Sequence, residues 1–503
     1  MRLEIALIAL LALLLFYRII KGTVKKIAQR RIRRQSLKTI RRFRIRVERF
    51  KLTRKKYIKF QILKEREVWE EMDRYAQRNQ LTTEEAMDRV EEYIDEIVPF
   101  FNILSYYKFG YTTAHFLLNL IYNVVIDKKN LRVLKRVPKN SVVIYIMNHR
   151  SNADYILVAY MLAEHIALSY AVGEWARIWP LEYIFKSFGS YFIRRKFREP
   201  LYHKVLEKYV QLISKNGITQ GIFVEGGLSR DGRLRDAKVG LMDYIVRILQ
   251  DEDFTRDVIF VPTAINYDRV LEDLNLVRES HGAAPEKKGV KKLLSGVSII
   301  FKIPRVIIRN GFYYIFKGIR KYGYTSVALG RPISLRHYLT ERETDIFTLE
   351  DKQRRDEIKL FVDTIMKRVG EVIPVTPVPL AALAILRDGR DVIPKTELLS
   401  GMRKLRRRLV QRDARIVQGD EFMDIETEKM RLRAVAMDRT QELLDFEHEI
   451  IETEEMDRTL SLALEVLSLR KIAWKKREDI VINPNRKEVL TYYSNSIIHL
   501  FEE

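Results

Sequence analysis

Residues Ser141 to Asp154 read SVVIYIMNHRSNAD, an apolar β-branched run that passes straight into a polar turn. Ser141–Met147 has the composition of a buried strand. Asn148 to Asp154 breaks it, and Ala153–Ala163 then continues with helical spacing, capped by Ser151 or Asn152. The stretch therefore predicts a strand, a turn and a helix. His149 stands at the strand's carboxyl end, where open α/β sheets place their ligands.

The same texture recurs outward from this point. Ile166–Val172, Gly221–Glu225, Val258–Ala264 and Thr325–Gly330 are further strand candidates, with helical segments such as Glu199–Ser214 between them. Strands alternating with helices predict an α/β fold with a largely parallel central sheet. On the amino-terminal side, residues 60–125 carry helix-spaced apolar groups such as Leu63, Val68, Met72 and Ala76. On the carboxyl side, the chain from 341 onward reads as helical, and Pro374–Leu386 looks like a turn entering a buried helix. The expected organisation is 1–22 as membrane anchor, 23–125 as basic and helical, 126–340 as catalytic domain and 341–503 as helical.

Four segments carry chemistry. His149 and Asp154 are separated by four residues; among the eight histidines no other has Asp at that offset. A carboxylate there can accept the imidazole N–H, set the tautomer and leave the second nitrogen as a base. The bland reading is a capping Asp beside a surface His. Gly221–Asp236 (GIFVEGGLSRDGRLRD) runs a strand into Glu225-Gly226-Gly227, then Ser229, Arg230, Arg233 and Arg235. Glycines let backbone N–H groups approach an anion, and guanidinium groups fork onto phosphate oxygens. It is neither a P-loop nor a nucleophile elbow, since Gly-Lys-Ser/Thr and G-x-S-x-G are both absent. Phe192-Ile193-Arg194-Arg195 ends an apolar run in cations, read either as phosphate ligands or as a basic edge strand. Pro262, at the end of Val258–Ala264, is expected to shape a pocket wall.

Composition bounds the class. The 503 residues hold no cysteine, which excludes disulfides, thiolate catalysis and cysteine zinc sites. Net charge is +24, and Lys21 to Lys59 alone holds 18 basic residues against one acid, Glu48. That imbalance points to an anionic partner. Just before it, Leu3–Ile20 is apolar except for Glu4 and Arg18, close to the roughly 20 residues that cross a bilayer. An uncleaved anchor with a cationic stretch held on the cytoplasmic side, against an anionic membrane surface, fits better than a signal peptide or a nucleic-acid binder. A second basic island, 287–323, has ten Lys or Arg and no acid. It reads either as a surface helix pair or as a face pressed against lipid.

The ordered set His-x4-Asp, FIRR, FVEGG-x-SR-x-G and a strand with Val-Pro resembles the glycerolipid acyltransferase superfamily. Phe192–Arg195, Phe223–Gly227, Tyr267–Val270, Leu329–Ser334 and Tyr492–His499 are similar to its bacterial glycerol-3-phosphate acyltransferase branch, so the resemblance covers about residues 90–500. It implies transfer of a fatty acyl group from acyl-CoA or acyl carrier protein to the sn-1 hydroxyl of glycerol 3-phosphate. The product is lysophosphatidate, made at a bacterial cell membrane with the catalytic domain cytoplasmic. Dihydroxyacetone phosphate and lysophosphatidate are the alternative acceptors. His149 and Asp154 are the expected catalytic pair. Arg194, Arg195, Glu225, Gly226, Gly227, Ser229, Arg230 and Pro262 are the expected substrate-binding residues, with no metal, no cofactor and no nucleic acid. Transfer is expected to be direct, without an acyl-enzyme. One position departs from the pattern: Leu228 stands where the family usually has an arginine implicated in phosphate binding.

Overall fold

The structure, a computed structural model, describes residues 49–53, 55–102, 105–127, 134, 137–162, 168–178, 180–282, 321–342, 345–437 and 442–502. Leu3–Ile20, most of the first basic stretch and most of the 287–323 island lie outside these residues. Among the described residues no helix is long and apolar enough to cross a membrane.

Helices α1 (Lys55–Leu63), α2 (Arg66–Asn79), α3 (Thr83–Ile97) and α4 (Thr112–Ile121) lead in. The start of α3 is fixed by Thr82 and Glu85, each side chain accepting the other's backbone N–H at 3.2 and 2.8 Å. Then come β1 (Asn123–Ile126), β2 (Val142–Met147), α5 (Asp154–Leu162), β3 (Ser169–Gly173), α6 (Leu181–Ser187), β4 (Tyr191–Ile193), α7 (Pro200–Lys215), β5 (Gln220–Phe223), α8 (Gly240–Val246), β6 (Val258–Tyr267), α9 (Asp273–Ser280), β7 (Tyr324–Leu329) and β8 (Ile333–Ser334). These eight strands form one sheet in the order β1-β7-β6-β2-β5-β3-β4, with β8 beside β6. All pairs are parallel except β6 with β7 and β6 with β8. The expected largely parallel α/β sheet is present, and β1 straddles residue 125, where a purely helical region was expected to end.

Residues β2, β5, β3 and β4 set the geometry that matters. Met147 lies opposite Phe223, and Gly173 opposite Ile193. Parallel pairing therefore brings their carboxyl ends to one edge, and residues 148–154, 224–227 and 194–196 emerge there together. Strand β6 runs three residues past its expected end, to Tyr267. Pro262 is thus mid-strand. It sits where β6 changes partner, after Ile259 and Phe260 pair with β8 and before Thr263 pairs with β7, so its missing N–H costs no ladder bond.

The carboxyl-terminal part supplies α10 (Leu335–Thr340), α11 (Asp351–Glu371), α12 (Pro377–Asp388), α13 (Lys395–Gln411), α14 (Ile425–Met437), α15 (Glu442–Ser468) and α16 (Lys487–Ser494). Helix α12 is buried from Pro377 to Ile385, as the Pro374–Leu386 reading expects. The region is not wholly helical. Strands β9 (Val392–Pro394), β12 (Ala473–Lys476) and β13 (Asp479–Ile482) form a small sheet, and β10 (Val417–Gln418) pairs with β11 (Glu421–Phe422). Strand β13 buries Ile480 and Ile482 with a two-residue period, and it pairs antiparallel with β12, where Ala473 is buried and Lys475 and Lys476 are exposed. One continuous hydrophobic core runs from Ile58 in α1 to Leu500.

Candidate active site

Strand β2 ends at Met147, and Asn148 locks the turn by pairing with β6. Its amide donates to Ile265 O at 2.9 Å and its carbonyl accepts from Ile265 N at 2.8 Å. Ser151 Oγ accepts from Ala153 N at 3.1 Å and donates to Glu272 Oε2 at 2.8 Å, fixing the entry to α5. This places Asp154, the first residue of α5, under the His149 ring.

His149 Nδ1 lies 2.9 Å from Asp154 Oδ2, with both side chains almost fully buried at 2 % and 0 % exposure. The same oxygen accepts the backbone N–H groups of Arg150 at 2.7 Å and Ser151 at 3.0 Å. Asp154 Oδ1 accepts the Tyr267 hydroxyl at 2.7 Å. A carboxylate so placed accepts a hydrogen bond from Nδ1–H, which keeps the proton on Nδ1 and leaves Nε2 as the basic nitrogen. The imidazole stacks on Phe223 at 4.2 Å and meets the Tyr155 edge at 5.6 Å. Burial holds its pKa below the ordinary histidine value; Asp154 pulls it upward and the Arg195 charge lowers it further. The ring is therefore neutral, and able to accept a proton, at neutral pH.

Glu225 Oε1 accepts the His149 backbone N–H at 3.3 Å, while its Oε2 is buried without a protein partner among the described residues. Burial pushes this carboxyl up to about 8, against the lowering effect of Arg150, the His149 N–H and Arg235. Arg150 is itself buried. It donates to the carbonyls of Gly232 and Ser496, tying the glycine-rich loop to the carboxyl-terminal segment.

The expected binding residues divide. Arg195 comes to the site: its Nη1 donates to Gly226 O at 2.7 Å and its charge acts on His149. Arg194 does not. Successive residues off a strand point to opposite faces, and Arg194 forks onto Glu96 while stacking 4.7 Å over Phe197. Arg230 is turned to Glu279 at 3.3 Å. Ser229 works as scaffold: its N–H donates to His149 O at 2.9 Å and its hydroxyl to Arg233 O at 2.6 Å. The Gly226 N–H is directed at Phe223 O at 3.3 Å, and Gly226 adopts a left-handed φ of 68°. Pro262 lies in the sheet against Gly330, whose N–H donates to Pro262 O at 2.8 Å. Tyr267, Arg150 and Arg235 were missed as site residues. All three stood in segments already singled out, but choosing them needed the third dimension.

The acyltransferase family model matches residues 128–266, and the model for the glycerol-3-phosphate acyltransferase C-terminal region matches residues 311–503. The chain therefore carries an acyltransferase domain followed by a glycerol-3-phosphate acyltransferase C-terminal region. The glycerol-3-phosphate acyltransferase of Aeromonas hydrophila is 25% identical over 453 residues, 88% of this chain and 49% of that one. The enzyme of that name from Glaesserella parasuis is 31% identical over 273 residues, 53% of this chain and 31% of that one. The chain thus spans about half the length, or less, of these curated relatives. Among solved structures, the 1-acyl-sn-glycerophosphate (LPA) acyltransferase PlsC of Thermotoga maritima matches at 17% identity with a TM-score of 0.27. That match covers 52% of this chain and 76% of that one, and it is too loose to carry any argument. The two family models meet at the site: His149, Asp154, Glu225 and Arg195 lie in the first, Ser496 in the second.

Proposed function

We propose that this chain transfers a fatty acyl group from a coenzyme A or acyl carrier protein thioester to the sn-1 hydroxyl of glycerol 3-phosphate. The observation that carries the reading is the buried His149–Asp154 pair at 2.9 Å, set at the carboxyl edge of the sheet beside an exposed arginine. His149 Nε2 takes the hydroxyl proton as the oxygen attacks the thioester carbonyl. The new C–O bond forms, the C–S bond breaks, and the departing thiolate takes the proton back from the imidazolium. Asp154 holds the ring and stabilises its cationic form. A guanidinium gripping the phosphate turns a collision into a positioned reaction. Lysophosphatidate and free thiol are the products.

Membrane attachment belongs to the same proposal. The apolar Leu3–Ile20 and the cationic stretch after it favour an anionic bilayer surface, with the catalytic region on the cytoplasmic side of a bacterial membrane. Tyr57 and Phe60 stand exposed on α1, where that stretch ends. The test is an acceptor competition with the full chain, supplying glycerol 3-phosphate, dihydroxyacetone phosphate and lysophosphatidate together with each donor. The expected result is preferential acylation of glycerol 3-phosphate. Preference for either rival acceptor overturns the choice of substrate. Deleting residues 1–22 is expected to release protein from anionic vesicles, and full retention contradicts that anchor.

A further inference from the structure

Five arginines lie on or beside the glycine-rich turn, and their partners separate them. Arg194 is taken by Glu96, Arg230 by Glu279, and Arg233 by Glu502 at 3.5 Å. Arg195 and Arg235 remain. Both are exposed: Arg195 donates to Gly226 O at 2.7 Å and also interacts with the Tyr155 hydroxyl, and Arg235 donates to Leu228 O at 3.3 Å. No carboxylate among the described residues pairs with either. They converge on one point. A carbon built on Gly227 would stand 3.2 Å from Arg235 Nη1 and 3.8 Å from Arg195 Nη1, so any side chain there would fill the gap between the guanidinium groups. The Arg235 charge also acts on Glu225, whose Oε1 holds the His149 backbone. The Leu228 side chain packs against the core and brings no charge to this gap.

We infer that Arg235 pairs with Arg195 across Gly227 to bind the phosphate monoester of the acceptor, doing the work that Leu228 does not do. This rests on the reading of the site as an acyltransferase that uses a phosphate-bearing acceptor. Two unpaired guanidinium groups around a glycine provide forked donors for phosphate oxygens without a carboxylate to displace. Coenzyme A also carries phosphate, so the source must be separated by experiment.

The experiment measures steady-state kinetics of the full chain and of Arg235→Gln, Arg235→Lys and Arg233→Gln. Two donors are used, an acyl-coenzyme A and an acyl-pantetheine that lacks phosphate. Losing a charge-assisted phosphate contact predicts a rise in glycerol 3-phosphate KM of about tenfold to a hundredfold in Arg235→Gln. The rise should be the same with both donors and partly restored in Arg235→Lys, with kcat at saturating acceptor and the donor KM close to wild type. Arg233→Gln should match wild type. An unchanged acceptor KM in a folded Arg235→Gln, or a rise confined to the coenzyme A donor KM, overturns the assignment. If wild type acylates no phosphate-bearing acceptor, the parent reading fails instead, and that result is visible before any variant is made.

Discussion

Asp154 receives four donors at once: the His149 ring, two backbone N–H groups and the Tyr267 hydroxyl. Asp154→Asn offers one acceptor oxygen where those N–H groups need a carboxylate, and it favours the wrong imidazole tautomer. Its kcat is expected to fall by about 10²–10⁴. Tyr267→Phe removes one donor but keeps the tautomer, so its loss should be nearer tenfold, on the order of one hydrogen bond. A Tyr267→Phe as inactive as Asp154→Asn would contradict this division. Because burial lowers the His149 pKa, activity should persist below pH 6.5 and fall only as the ring protonates at lower pH. Glu225 titrates the other way. Its carboxyl is raised from 4.5 in the open chain to about 8 in the fold, so the native state holds a proton that the unfolded state has lost. Stability should therefore decline as pH rises from about 4.5 to about 8. Glu225→Gln should flatten that decline, raising Tm relative to wild type at pH 8 and not at pH 4.5. Parallel Tm-versus-pH curves for the two proteins would contradict it.

At the scale of elements, β4 shows what a linear reading can and cannot reach. Arg194 and Arg195 are equal as letters and opposite in space, because adjacent residues leave a strand on different faces. Arg194→Gln strands Glu96, which is mostly buried and among the described residues retains only Arg177 at 2.7 Å. The predicted cost is about 1–3 kcal/mol of stability with no change in acceptor KM. Chemical denaturation and kinetics check the two halves separately, and a raised acceptor KM would contradict the structural role. The core strands β2, β5, β6 and β7 were legible because their β-branched runs are short and bounded by polar turns. His149 and Asp154 were legible because their spacing spans a single turn. Strand β1 hid in a helical context, and the β12–β13 hairpin hid in a charged stretch. The selection of Arg195 and Arg235 over Arg194 and Arg230 depends on the carboxylates Glu96 and Glu279, which lie far away in sequence and offer no local signal.

For the molecule as a whole, the carboxyl terminus is part of the site's support. Asn495 Nδ2 donates to Asp231 O at 2.9 Å, and Arg150 donates to Ser496 O at 3.3 Å. Asn266 bridges Pro374 O at 2.8 Å and Ser496 Oγ at 3.1 Å. Gly232, at φ 87°, comes so close to Tyr492 that an added carbon would lie 1.9 Å from its carbonyl oxygen. Removing residues 487–503 should therefore uncover the loop, lower Tm and abolish transfer together. A truncated chain with wild-type Tm and activity would contradict this coupling.

Direct transfer requires His149 as the base that activates the acceptor. The sharpest measurement is rapid-mixing release of free thiol from the acyl donor, which a chain without cysteine reports with no protein thiol background. Wild type is predicted to release thiol only when glycerol 3-phosphate is present, in step with lysophosphatidate, and His149→Ala to release almost none. A stoichiometric burst of thiol with donor alone, or a wild-type rate from His149→Ala, would contradict it.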